Sequence, residues 1–156
     1  MVRIREMQTE DIIDVYDLER ITFAFPFPES YISLIFFQNP DLCFVLETDV
    51  NLLDNSNSNS KIIGFILGGR SSFKSEAHIL SIAIHRNFRK KGYGKMLLRY
   101  FITKVIELGF SSIKLEVRVT NNYAINLYEK MGFKRIRTIR KYYEDGENAY
   151  LYRLIL

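Results

Sequence analysis

The sequence has almost no means of covalent cross-linking. Cys43 is the one cysteine, so no internal disulfide can form and the fold owes nothing to oxidation. It lies in the apolar run Leu42-Cys43-Phe44-Val45-Leu46, where it reads as a small buried hydrophobe rather than a nucleophile. No apolar run reaches the roughly 20 residues that cross a bilayer. The opening MVRIREMQTED is charged from its third residue and lacks the apolar core of a secretory signal. These absences lead to the expectation of a cytoplasmic protein without a membrane partner. The common phosphate signatures are missing too. There is no G-x-x-x-x-G-K-[ST], and where a dinucleotide fingerprint needs its third glycine the chain has Leu97.

What is present is ordinary for a globular chain. The 156 residues are 47% hydrophobic and 26% charged, which excludes a disordered segment or a coiled coil and suits one domain over 1–156. The net charge of +4 and a pI near 9.1 suit a polyanion: nucleic acid, an anionic membrane or a phosphate-bearing cofactor.

Alternation in VRIREM predicts a strand over 2–7. Thr9 is placed to cap a helix with Glu10 and Asp11 in its first turn. Ile12, Val15, Leu18 and Glu19 keep the helical period, and Ile21 and Phe23 extend it until Pro26 and Pro28. A short helix over 29–39 stops at Pro40. Strands follow over 42–47 and 62–68, joined through the polar tract 51–60, which reads as a hairpin tip. An almost wholly apolar strand over 79–84 is expected to be central and covered on both faces. A helix over 92–108 buries Leu97, Phe101, Val105 and Leu108 and ends at Gly109. The remaining elements are a strand over 113–119, a helix over 124–131, and strands over 133–142 and 149–156 around the turn signal Asp145-Gly146. The expected fold class is α/β with a mixed sheet and helices on its faces.

The chemistry concentrates in HILSIAIHRNFRKKGYGKMLL, residues 78–98. An apolar strand enters a basic loop with glycines, and the loop opens a helix. The first turn of a helix leaves N–H groups unpaired at the positive end of its dipole, and Gly92 and Gly94 let backbone approach an anion. Arg86, Arg89, Lys90 and Lys91 add full charges. Alone, the pattern fits either an anion site or a tight turn with a solvated basic loop.

The strand followed by R-x-x-G-x-G and a helix, then N-x-x-A-x-x-x-Y-x-x-x-G-F (Asn121, Ala124, Tyr128, Gly132 and Phe133), resembles the signature of the GCN5-related N-acetyltransferases. LEVRVTN, KYYEDGENAY and FPESY are similar to the RimI-like branch, the protein N-terminal acetyltransferases. The resemblance implies a mostly antiparallel mixed sheet in which one parallel strand pair splays, with acetyl-CoA in the gap. Backbone of Ile82, Ala83 and Ile84 would pair with the pantetheine arm. One N–H of that strand would polarise the thioester carbonyl. Arg89, Lys90, Lys91, Gly92, Tyr93, Gly94 and Lys95 would hold the pyrophosphate.

The resemblance assigns Glu116 and His78 to the role of base, acting through water; on pattern alone the first is a solvent-facing strand residue and the second a polar strand end. Two such ligands are too few to predict a metal site. Tyr128 corresponds to the family's proton donor to the departing thiolate, against a plain core aromatic. Asn121 is a helix N-cap, a cofactor contact, or both. His85 is expected to be solvated. Glu29, Tyr31, Tyr142 and Tyr143 would face the peptide. Lying next to each other on an expected strand, Tyr142 and Tyr143 point to opposite faces, so one of them, Tyr143 by resemblance, lines the cleft.

The expected function is acetyl transfer to the α-amino group of a protein or peptide N-terminus, by a monomer or weak homodimer. Two rivals stand beside it. One is the same fold acting on lysine side chains, polyamines or small amines. The other is a non-catalytic nucleic-acid-binding module built on the 86–91 cluster with Lys134, Arg135, Arg137, Arg140 and Lys141. The position of the first cluster, where a cofactor pyrophosphate needs it, argues against a nucleic-acid partner.

Overall fold

The computed structural model describes residues 1–49, 60–73 and 75–156. Seven strands form one sheet: β1 (Val2–Glu6), β2 (Cys43–Asp49), β3 (Ser60–Arg70), β4 (Glu76–Ile84), β5 (Ser112–Arg118), β6 (Lys134–Ile139) and β7 (Ala149–Ile155). Their order is β1-β2-β3-β4-β5-β7-β6, and every neighbouring pair is antiparallel except β4 with β5. The helices among the described residues are α1 (Ile12–Thr22), α2 (Glu29–Gln38), α3 (Tyr93–Glu107) and α4 (Asn122–Lys130). None is long and apolar enough to cross a membrane.

Each face of the sheet buries its own core. On one face α3 sets Leu97, Leu98, Phe101 and Val105 against Ile79, Ile113 and Leu115, with Ile125 and Tyr128 of α4 alongside. On the other, α1 and α2 set Val15, Leu18, Ile32 and Phe36 against Cys43, Val45, Phe65 and Leu67. β4 lies between the two cores, the central strand that its apolar run implies. Burial pushes the Cys43 thiol up to about 12, which suits the inert reading of that residue.

Several local expectations need correction. Thr9 does not cap α1; residues Thr9–Asp11 form a 3-10 turn, and the Asp11 carboxylate accepts the Gln8 N–H at 2.7 Å. Ile21 and Phe23 are exposed, so the buried stripe of α1 ends with Leu18 and Glu19. Leu108 is half exposed beyond the end of α3, so the buried stripe stops at Val105. β6 ends at Ile139, three residues before Tyr142. The tract 51–60 lies outside the described residues apart from Ser60, the first residue of β3.

The edge strand β1 is fastened by charge. Arg5 bonds both Asp11 oxygens, at 2.7 and 2.9 Å, and reaches Glu47 at 3.0 Å, while Arg3 holds the same Glu47 at 2.5 Å. Burial pushes the Glu47 carboxyl up, but the bonds from Arg3 and Arg5 outweigh it and leave it below its ordinary value. A lowered carboxyl adds stability above its unfolded value, near 4.3, and that stability is lost as pH falls through the lower folded value. Arg5→Ala leaves the nearly buried Asp11 without its ion pair and Glu47 with Arg3 alone, and is expected to cost about 3 kcal/mol. It should also move acid unfolding to higher pH. Urea melts at pH 7 and pH 4 check this; melts matching the wild type at both values would contradict it.

Candidate active site

The parallel ladder between β4 and β5 runs only from Glu76↔Ser112 to Ile79↔Leu115. Beyond Ile79 the two strands part, although β4 stays paired to β3 as far as Ile84 and β5 stays paired to β7 as far as Arg118. The parting coincides with a bulge. Leu67 pairs with Ser81 and Gly68 with Ile79, so Leu80 is an extra residue in β4. The phase of the strand therefore changes: Ala77 and Ile79 join the α3 core, whereas Ala83 joins the α1/α2 core. The β5-facing backbone groups of residues 80–84, which include Ile82, Ala83 and Ile84, have no strand partner. They form one wall of a wedge whose other wall is the end of β5.

His78 and Glu116 meet at the apex of the wedge. His78 sits in the last paired stretch, opposite Lys114, and Glu116 is the first β5 residue beyond the ladder. Their side chains join Nε2 to Oε2 at 2.6 Å and both are largely buried. A carboxylate has no proton to give, so opposite an ionised Glu116 the imidazole is the donor, through Nε2.

Tyr128 comes from the opposite face. Its ring packs in the core beside Phe133 and Tyr152, at centroid distances of 5.8 and 6.5 Å. Its hydroxyl has no hydrogen-bond partner among the described residues, and the side chain is almost wholly buried. Burial, with Tyr143 nearby, pushes that hydroxyl well above the ordinary tyrosine value. It keeps its proton at any physiological pH.

Tyr31, Tyr142 and Tyr143 gather over the Glu116 side. The expected division of Tyr142 and Tyr143 between two faces is wrong. Both lie in the loop 140–148, where Lys141 takes a left-handed φ of +52° and its N–H donates to Asn148 at 3.0 Å. Off the sheet, the two rings pack edge to face at 5.0 Å. Burial raises the Tyr142 hydroxyl, helped by the charge of Glu116 and by Tyr31. Burial and then Tyr142 push Tyr143 up to about 12 against the pull of Arg118. Tyr31 packs edge to face on Phe27 at 4.9 Å. Glu29, in the first turn of α2, is exposed and bonds no described side chain.

The loop before α3 bears the anion site. The first helical bond runs from Met96 N–H to Gly92 C=O at 3.0 Å, and no described group accepts the amides of residues 90–95. Gly92 has φ +83° with nothing within 4 Å of where a Cβ would stand. A Cβ on Gly94 would meet only ordinary contacts at 3.7 and 3.9 Å, from Leu127 and Ile84. Lys90, Lys91 and Lys95 are exposed around these amides, and Tyr93 is half-buried. Arg89 departs from expectation: its amide reaches back to Arg86 C=O, and its Nε donates to Ile84 C=O at 2.9 Å. It braces the strand end instead of offering its amide. His85 is half-buried, not solvated, and its Nδ1 accepts the Asn87 N–H at 3.2 Å. Asn121 caps α4, its side chain accepting the Ala124 N–H at 3.2 Å. A free amide nest leading into an unpaired strand edge is what a diphosphate with an extended amide-bearing arm requires, so these residues fit coenzyme A.

The pattern reading missed two residues. Glu19, almost wholly buried, accepts Ser81 Oγ at 2.7 Å and Phe27 N–H at 3.1 Å. Arg118 bonds Asp145 and Glu147 across the mouth of the wedge. The signal for Arg118 was present, since it lies two residues after Glu116 on an alternating strand and so shares its face.

The chain is similar in sequence and fold to known proteins. The Acetyltransferase (GNAT) family model matches residues 12–133, and the chain belongs to that family. It is 32% identical to an N-alpha-acetyltransferase of Sulfurisphaera tokodaii, over 96% of this chain and 90% of that protein. It is 30% identical to the ribosomal protein bS18-alanine N-acetyltransferase of Salmonella typhimurium, over 94% and 90%. The crystal structure of Ard1 from Thermoplasma volcanium superposes with a TM-score of 0.87 at 30% identity, covering 99% of this chain and 97% of that one. Membership in an acetyltransferase family sets aside the non-catalytic nucleic-acid module; the β6 cations stand on an exposed edge strand.

Gly92→Val forces a β-branched residue into a left-handed backbone, at about 1–2 kcal/mol, and turns the amide nest. Coenzyme A affinity, read by calorimetry, is expected to fall by more than about tenfold. Gly109→Val has the same kind of strain at φ +87°, far from the wedge, and serves as control. Equal affinities in the two variants would refute the placement of the anion site.

Proposed function

We propose that the chain transfers the acetyl group of acetyl-CoA to the α-amino group of a protein or peptide N-terminus, with both substrates bound together. The observation that carries this reading is the 2.6 Å His78–Glu116 bond at the point where β4 and β5 part. Bound along the open edge of β4, acetyl-CoA supplies the thioester that the amine attacks. The amides of residues 90–95, with Lys90, Lys91 and Lys95, hold its diphosphate. The unpaired edge through Ile82, Ala83 and Ile84 takes its arm as an added strand, and a β4 N–H beside the bulge faces the acetyl oxygen.

Only a neutral amine attacks. An α-amine has a pKa of about 7.7–8.0 against about 10.4 for lysine, so at pH 7 it needs little help to lose its proton. Glu116, oriented by His78, receives that proton directly or through a water. Tyr128, from the other side, gives its proton or a hydrogen bond to the departing sulfur. Tyr31, Tyr142 and Tyr143 line the route of the peptide, and Glu29 lies at its outer edge. The names of the relatives, N-alpha-acetyltransferase and bS18-alanine N-acetyltransferase, support an N-terminus over a lysine side chain, polyamine or small amine. A cytoplasmic setting, where new N-termini appear, is part of the proposal and suits an unpaired buried thiol at Cys43.

Glu116→Gln is expected to lower kcat by about a hundredfold or more while coenzyme A affinity stays within about twofold. Parallel loss of both would make Glu116 structural. Tyr128→Phe should lower kcat by a similar order, about a hundredfold. In the wild type kcat/KM should rise with pH as the amine deprotonates. Because the Tyr128 pKa is raised, no falling limb from its ionisation should appear below about pH 10. A falling limb near pH 8 that vanishes in Tyr128→Phe would overturn the assignment of its proton. Mass spectrometry locating the acetyl group on a lysine-containing peptide tests the substrate class.

A further inference from the structure

Arg118 stands at the end of β5, on the same face as Glu116, and its charge is used up by one loop. Its Nη1 lies 3.1 and 3.0 Å from the two Asp145 oxygens and 2.6 Å from Glu147. Its guanidinium carbon sits 4.0 Å from the Tyr143 ring centroid and 6.0 Å from that of Phe25. Glu147 is held on its other side by the N–H and hydroxyl of Thr120, and the Tyr143 N–H donates to Glu147 C=O at 3.2 Å. Tyr143 in turn packs on Tyr142, whose hydroxyl feels Glu116 and Tyr31. One side chain thus ties the loop 140–148 to the strand that bears the base, and touches the α1–α2 connection through Phe25.

We propose that Arg118 is a specificity-determining positioning residue, which fixes the tyrosine wall at a set distance from Glu116 so that the mouth admits a chain end but not a lysine within a chain. The inference rests on the α-amine reading above. A chain terminus enters a slot along one path, whereas a mid-chain lysine carries backbone away in two directions and needs a wider mouth. A planar guanidinium suits this role, since one face stacks on Tyr143 while its edge bonds carboxylates, which an ammonium cannot reproduce.

The test uses the purified full chain, acetyl-CoA and a peptide with a free N-terminus and one internal lysine. Arg118→Gln is expected to raise peptide KM by about tenfold with kcat changed by less than about threefold, the loss of a cation–π contact and its ion pairs. Coenzyme A affinity should stay within about twofold, and the share of ε-acetylated product should rise at least about fivefold. Arg118→Lys should move the same way by less. Should Arg118→Gln fail to fold by circular dichroism, the double substitution Asp145→Asn with Glu147→Gln, on the exposed loop, must give the same shift in KM and product ratio. An unchanged KM and α-to-ε ratio in the folded variant would overturn the proposal, as would a fall in kcat at constant KM. A wild-type protein that acetylates no α-amine would overturn the functional reading itself, and this inference with it; the wild-type product alone separates that failure from the failure of Arg118.

Discussion

Two parallel strands remain paired only while their ladders keep step, and β4 loses step at Leu80. The extra residue there moves the strand from one core to the other: Ile79 faces α3, while Ala83 faces α1 and α2. β5 alternates without interruption, so beyond Ile79 and Leu115 the two edges cannot continue as a ladder. An unpaired backbone edge inside a sheet is costly unless something accepts its hydrogen bonds. The gap is therefore both a flaw in the sheet and an edge able to accept an extended ligand, and the His78–Glu116 pair sits at its apex because His78 is the last side chain on that face before the bulge. The amide nest, the tyrosine wall and Tyr128 are arranged around this single interruption.

Much of this was legible in the sequence, and physical reasons separate what was from what was not. α3 declares itself because a fifteen-residue amphipathic helix between Gly92 and Gly109 has a period, a start and a stop. The antiparallel order and the parallel pair followed from the family pattern. The bulge left no trace, since the run ILSIAI reads equally well with or without an extra residue. Tyr142 and Tyr143 were misread for a related reason. Aromatic pairs favour strands, and no glycine or proline precedes them in that stretch. Their release from the sheet depends on the left-handed backbone of Lys141 and on the Asn148 side chain, a contact seven residues away that no local pattern encodes. The ion pairs of Arg118 and Arg5 are tertiary in the same sense. Apart from Asp11, six residues from Arg5, their partners are distant in sequence, and charge pattern alone gives no distance.

The buried carboxyl group of Glu19 ties the bulge of β4 to the connection between α1 and α2. It sits in α1, between the bulge of β4 and the connection that leads to Tyr31. Burial raises its pKa, opposed by bonds from Ser81 and the Phe27 backbone. Ser81 is the residue directly after the extra one in β4, and Phe27 packs on Tyr31. A carboxylate deprived of water is tolerable only with donors in its place. Here one donor comes from β4 beside its bulge and the other from the connection between α1 and α2, so shifting either would leave Glu19 unsatisfied. Arg118 makes the corresponding tie on the far side, from β5 to the loop bearing Tyr142 and Tyr143. The wedge is thus braced from both walls, by a carboxyl group that accepts hydrogen bonds from strand and connection and by a guanidinium ion-paired from strand to loop. The spacing between Glu116 and the tyrosines around it then depends on one hydrogen-bonded tie and one ionic tie, each anchored to the central sheet.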